Sequence, residues 1–181
     1  MSPRAAGLPP GDPAAQLAPS RPQTAGQWVR LVGNVLNLTT PLGLAIGALG
    51  GARFRRGPRG LLLGEGYRFR FPLAGAFTIG NVTTTARSWP VLLDELPTLL
   101  RHEERHTWQY LYCLGLPFYL LYAIFMGWSW LRTGDRAARN AFERLAGLAD
   151  GGYRDLPTRS IGAGFRALAQ LVFRRRRRPA L

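Results

Sequence analysis

The sequence predicts an α+β fold in which a small antiparallel sheet precedes a helical core, and three observations carry that reading. Strand periodicity is confined to one stretch, residues 61–85, where Tyr67-Arg68-Phe69-Arg70-Phe71 alternates apolar with basic. Long runs of good helix formers follow from Trp89 onward. With 181 residues, 46% of them hydrophobic, the chain suits one domain and can bury a core, which excludes wholesale disorder. A single Cys and two His exclude an internal disulfide framework, an all-cysteine zinc site and a three-histidine metal site.

Taken in order, residues 1–27 hold six Pro among Ala, Gly and Ser and are read as a disordered tail. They have no apolar run after a basic start, so no secretory signal is expected. Residues 28–59 combine an apolar, possible membrane-associated segment with an Arg-rich loop. Within them 31–51 carries no charge, yet Asn34, Asn37, Thr39, Thr40 and Pro41 interrupt it. It fits a weak membrane span, a surface-lying segment or a core helix broken at Pro41. Arg53, Arg55, Arg56 and Arg59 follow. Ala76–Ile79 and Val82–Thr85 are β-branched and aromatic and flank a Gly80-Asn81 turn, so strands are expected at 67–71, 76–79 and 82–85. Trp89-Pro90 opens a helix, with Pro97 in its first turn or dividing it. Residues 98–113 read as one helix, and Gly115-Leu116-Pro117 breaks it. A fully apolar helix spans 117–131. Asp135 is read as the N-cap of a helix over 136–149, with Gly151-Gly152 closing it. Residues 154–181 supply a basic amphipathic helix, about 160–173, and the run Arg174–Arg178.

Charge is lopsided. All 24 basic residues are Arg against ten acids, a net +14. Residues 151–181 hold eight Arg and one acid. Such a tail favours anionic partners, either lipid headgroups or nucleic acid, or stays solvated without one. No helix-turn-helix, aromatic RNA motif or zinc finger accompanies it, so nucleic acid is not the expected partner.

The chemistry is concentrated in His102-Glu103-Glu104-Arg105-His106, which fits H-E-x-x-H. Residues at i and i+4 share a helix face, so both imidazoles reach one ion. Glu103 is turned about 100° from His102 and can act as general base on water without being a ligand. The competing reading is a surface His pair on a charged helix. In that reading Glu103, Glu104 and Arg105 form a solvated face; the charged middle positions, Glu104 and Arg105, are compatible with the metal reading if their side of the helix faces solvent. A catalytic zinc needs a third protein ligand, and Glu143, mid-helix in Asn140-Ala141-Phe142-Glu143-Arg144-Leu145-Ala146, is the best of the remaining acids. Asp150 shares its helical face at i+7 and is a candidate to orient a ligand His. The alternative for Glu143 is an exposed pair with Arg139 or Arg136. Gln109 and Tyr110 lie within a turn of His106 and are candidates to orient a ligand or position substrate, as against ordinary helix surface or core; Asn140, three residues before Glu143, is a further candidate for such a role.

These residues resemble the gluzincin type of zinc metallopeptidase, in which H-E-x-x-H is followed by a helical Glu. The resemblance implies one zinc on His102, His106 and Glu143, with Glu103 as base. More closely, residues 60–153 resemble small, mostly uncharacterised bacterial zincin-like proteins. The likeness rests on Phe77-Thr78-Ile79-Gly80-Asn81-Val82, on His102-Glu103-x-x-His106-x-x-Gln109-Tyr110, and on the Asn140-x-Phe142-Glu143-x-x-Ala146 segment. It implies a zincin-like metal-binding domain over 60–153 and does not itself assign a substrate; a peptide or protein substrate is the expectation that goes with the metal-and-base chemistry. The strand near 76–85 would border the cleft, its edge free to pair with an extended peptide.

Residues 110–131 are apolar enough to span a bilayer, and Trp128 and Trp130 resemble an interfacial belt. A crossing there would put Glu143 about 30 Å from the His pair and remove it as a ligand. The break at Gly115–Pro117 leaves about 15 residues, about 22 Å at about 1.5 Å each, which fits a hairpin helix better than a span. The expectation is a cytoplasmic metallohydrolase at the inner face of an anionic membrane. The alternative is a membrane-associated or integral protein whose His pair is structural or incidental.

Overall fold

In the computed structural model the described residues are 12–70 and 75–176. The fold is α+β, with eight helices and one four-stranded sheet among them. The chain divides into two compact units at Leu116/Pro117.

In the first unit, the described part of the tail begins with α1 (Pro13–Leu17). Asp12 caps it by accepting from the Ala14 amide at 2.9 Å, and Pro13 pre-sets its first turn. Leu17 is buried with Leu61, Leu63, Trp89 and Leu93 in the hydrophobic core. The tail is tied down by this apolar anchor and by hydrogen bonds of Ser20 with Gly57, Arg59 and Gly60, which the Pro-rich composition concealed. Residues 1–11 lie outside the described residues.

The apolar stretch forms α2 (Ala25–Leu36) and α3 (Thr39–Leu49), bent by 67°. The break falls at Asn37-Leu38 rather than at Pro41, which sits within the first turn of α3. The polar residues that interrupt the run form a buried network. Asn34 Nδ2 donates to the Thr107 carbonyl at 2.8 Å and to Asn81 Oδ1 at 3.2 Å. Asn81 Nδ2 donates to Thr40 Oγ1 at 2.9 Å and to the Leu31 carbonyl at 3.0 Å. Thr39 donates to Asn37 Oδ1 at 2.7 Å. The glycines of α3 let it approach the sheet: a Cβ at Gly43 would stand 2.5 Å from the Ile79 carbonyl oxygen.

The sheet is mixed, and this corrects the antiparallel expectation. Its strands are β1 (Arg53–Arg56), β2 (Leu62–Glu65), β3 (Ala76–Ile79) and β4 (Val82–Thr85), in the order β1-β2-β4-β3. The pair β2/β4 is parallel; β1/β2 and β3/β4 are antiparallel. The Arg-rich segment taken for a loop supplies β1, an edge strand whose charges suit an unpaired edge. Conversely, Tyr67–Arg70 is not a strand. Gly66, at φ +80°, turns the chain away, and the Tyr67 ring packs edge-on against Phe69 and Phe77. The alternation there reflects aromatic packing in a crossover connection. Phe71, the last residue of that expected strand, lies outside the described residues. The helix α4 (Trp89–Glu95) follows β4, and Pro97 divides it from α5 (Leu99–Tyr112), which packs on β3 and α2.

The second unit comprises α6 (Pro117–Thr133), α7 (Ala141–Leu145) and α8 (Ile161–Arg176). The helix expected over 136–149 is reduced to α7. Asp135 Oδ1 does accept from the Ala137 and Ala138 amides, both at 2.8 Å, but this closes a turn, and Asn140 is the helix cap. Phe118, Tyr122 and Phe125 of α6 pack on the Phe142 ring of α7. Buried Ser129 donates to the Asp135 carbonyl and accepts from the Arg139 amide. Gly164 of α8 lies against Leu131, where a Cβ would stand 2.2 Å from its carbonyl oxygen.

Among the described residues no single helix is long and apolar enough to cross a membrane; α2 with α3, and α5 with α6, reach that length only as pairs broken by a bend. Asn81→Ala removes the hub of the polar network and leaves buried acceptors without donors. It is expected to cost about 2–3 kcal/mol, read as a shift in urea midpoint at unchanged slope.

Candidate metal centre

The site is built on α5. His102 and His106 stand one turn apart and are both buried, at 1% and 8% exposure. Their Nε2 atoms are 3.1 Å apart, and the rings cross at 87°. The sequence candidate Gln109 supplies the next contact, its Oε1 lying 2.7 Å from His106 Nδ1. A carbonyl oxygen only accepts, so in this pairing Nδ1 is the donor and Nε2 is the nitrogen placed to serve as a ligand. That arrangement directs Nε2 toward His102, as a metal ligand requires.

Glu103, 4% exposed, leaves α5 in another direction and reaches the sheet. Thr78 of β3 donates to Glu103 Oε2 at 2.7 Å, and Thr83 Oγ1 of β4 lies 3.0 Å behind Thr78. A pair of strand hydroxyls therefore fixes the carboxylate. Neither Thr was singled out from the sequence; their signal was the β-branched run beside a turn, which reads as ordinary strand composition.

In the second unit, Glu143 occupies the first turn of α7 and is 2% exposed. The Tyr122 hydroxyl donates to its Oε1. Burial, and then the Glu143 carboxylate, push the Tyr122 phenol far above its ordinary range, so it remains a donor. Tyr122 was also missed, hidden as one more aromatic in an apolar helix. The exposed pairing considered for Glu143 does not describe it, because its side chain is buried, and Arg139 binds Asp155 at 3.0 Å and donates to the Leu156 carbonyl.

One ligand atom each from His102, His106 and Glu143 lies within 4.8 Å of the others, and all three residues are buried. The group can hold a metal ion. Two imidazole nitrogens and a carboxylate oxygen form a donor set of the kind used by three-ligand catalytic sites.

The remaining candidates fall elsewhere. Tyr110 is buried within α5. Asn140 caps α7 through the Phe142 amide at 3.0 Å, which places Glu143 in the first turn. Asp150 lies in the turns beyond α7, so the i+7 helical relation to Glu143 does not hold. Cys113, expected in the core, is half-buried at the C-cap of α5, and burial raises its thiol pKa.

The charged middle of the motif has a structural explanation. Arg59 donates through Nε to Glu104 Oε1 at 2.8 Å and Oε2 at 2.9 Å. Arg30 of α2, with no exposed side-chain surface, donates to Thr107 Oγ1 at 2.9 Å and lies 3.4 Å from Glu104 Oε1. Glu104 is thus the counter-charge of a buried arginine and not part of a solvated face.

No protein-family model, curated protein or solved structure matches this chain.

Two outcomes are expected. Glu104→Ala leaves Arg30 buried without its carboxylate and should lower stability by about 3–5 kcal/mol in denaturant titration. Gln109→Leu removes the acceptor that fixes His106 and should weaken affinity for a divalent metal ion about 10–100-fold in a chelator competition.

Proposed function

We propose that the protein is a zinc-dependent metallohydrolase acting on peptide bonds. The observation that carries this reading is the buried His102, His106 and Glu143 group with Glu103 anchored next to it in sequence. His102, His106 and Glu143 would hold the ion, and zinc so held supplies Lewis acidity toward a carbonyl and toward water. Glu103 then acts as the base, taking a proton from the attacking water and returning it to the leaving amine. The Thr78 hydroxyl steadies one carboxylate oxygen through both transfers. Gln109 keeps His106 in its ligating tautomer. Tyr122 holds Glu143 in place by donating to it.

Support for a peptide substrate comes from β3. It is the last strand in the sheet order and carries Thr78, which binds the base. An extended peptide added along that edge would pass beside Glu103.

Metal analysis of the purified protein tests the reading. Wild type is expected to retain about one zinc, as three-ligand catalytic sites do, and His102→Ala or His106→Ala none. Glu143→Ala should weaken binding markedly. Glu103→Gln should keep full zinc and lose peptide hydrolysis, because the base is not a ligand. Wild type that takes up no zinc on reconstitution, or zinc retained at full affinity without the histidines, would overturn the proposal.

A further inference from the structure

The helix α2 is inside out. Its buried side chains are Arg30 and Asn34, whereas Val29 is 60% and Leu36 75% exposed, with Trp28, Val32 and Val35 exposed beside them. A helix in water turns its apolar stripe to the core; here the polar stripe does so. Where α2 and α5 end, the pattern becomes sharper. Each helix closes on a leucine with positive φ, Leu38 at 65° and Leu114 at 56°. In α5 the closing bonds run from the Gly115 amide to the Tyr110 carbonyl and from the Leu114 amide to the Leu111 carbonyl. This is a turn in which glycine normally takes the position of Leu114. Both leucines project outward, Leu38 at 63% and Leu114 at 80% exposure. Asn37 lies against Gly115, so the two turns occupy one end of the unit. Backbone strain and solvent exposure are both unfavourable for a leucine, and at each site glycine would relieve the two together.

The chain continues in the same character. Thr107 through Leu131 carries no charge, and along α6 Leu120, Ile124 and Trp128 are exposed. The charges begin where α6 ends, with the Arg132 guanidinium 5.2 Å from the Trp128 ring centroid. From Pro117 onward the chain holds twelve Arg against four acids.

We propose that the outward face of α2 and the Leu38/Leu114 tip form a surface that docks into an anionic lipid bilayer, and that α6 in the second unit carries a lipid-facing side of its own. Apolar side chains enter the acyl region, tryptophan and Arg132 sit at the headgroup level, and the arginine excess meets lipid phosphates. The net charge of +14 favours an anionic bilayer over a second, equally basic copy of the chain.

Flotation of the full protein with phosphatidylcholine vesicles, with and without phosphatidylglycerol, tests this. Wild type should float with the anionic vesicles, and part of it should stay bound in high salt because insertion is not screened. Leu38→Gly/Leu114→Gly should bind about tenfold more weakly or worse while its melting temperature holds or rises, since glycine suits both turns. Val29→Gln/Val32→Gln, on the exposed face of α2, should weaken binding similarly with zinc content unchanged. Wild type that ignores anionic vesicles, or a glycine variant that floats like wild type, would overturn the proposal. So would a wild-type dimer that the glycine variant converts to monomer without altering flotation, because a second copy would then be the occupant.

Discussion

Burying a polar helix is the constraint on which the first unit depends. The described sheet and helices close around α5, whose buried side chains include His102, Glu103, His106, Thr107 and Gln109. Each carries a donor or acceptor that costs free energy if taken from water without a partner. The surrounding elements answer these demands one by one. The sheet offers Thr78 to Glu103, α2 offers Arg30 to Thr107 and Glu104, and the turn before β2 offers Arg59 to Glu104. The two arginines respond differently to the same carboxylate. Burial lowers the Arg30 pKa against the opposing pull of Glu104, whereas the hydrogen bond to Glu104 raises that of Arg59, which is partly exposed. Glu104 supplies the counter-charge for the buried Arg30 guanidinium, which also donates to the Thr107 hydroxyl and the Arg59 carbonyl.

The division of labour along the motif follows from helical geometry. Five consecutive residues point in several directions around α5, and the partners on each side differ. His102 and His106 converge on one another, Glu103 is tied to strand hydroxyls, and Glu104 is tied to arginines. The Asn34–Asn81 network then joins α2, the β3/β4 turn and the Thr107 carbonyl. Glu103 and the histidines thus stand on one backbone braced from the sheet and from α2.

Legibility in the sequence follows how local each signal is. The α+β class, the strands at 76–79 and 82–85, the helix over the motif and the grouping of His102, His106 and Glu143 all rest on short-range patterns or fixed spacing. The β1 strand was obscured because charge on an edge strand reads as loop. The parallel β2/β4 pair was out of reach because it joins segments about twenty residues apart, and no local pattern encodes which neighbour a strand will take. The helix over 136–149 was overdrawn because two candidate caps, Asp135 and Asn140, stand five residues apart, and only tertiary packing selects the second. Thr78 and Tyr122 escaped for a related reason: hydroxyls in β-branched or aromatic company are common, and their partners lie 25 and 21 residues away.

The uncharged run over 31–51 shows where composition stops and structure must decide. Periodicity reveals which residues share a face of α2 but not which way the face points. An apolar stripe inward and a polar stripe inward give the same repeat. What sets the direction is whether the polar stripe finds partners. Asn34 reaches Asn81 and the Thr107 carbonyl, and Arg30 reaches Thr107 and Glu104, so the polar stripe turns in and the valines turn out. Those partners belong to the turn after β3 and to the motif helix itself. The polarity of the surface is thus set by the same residues that brace the helix of the His102/His106 pair. Replacing Arg30 or Asn34 with an apolar residue would remove the reason for α2 to face as it does.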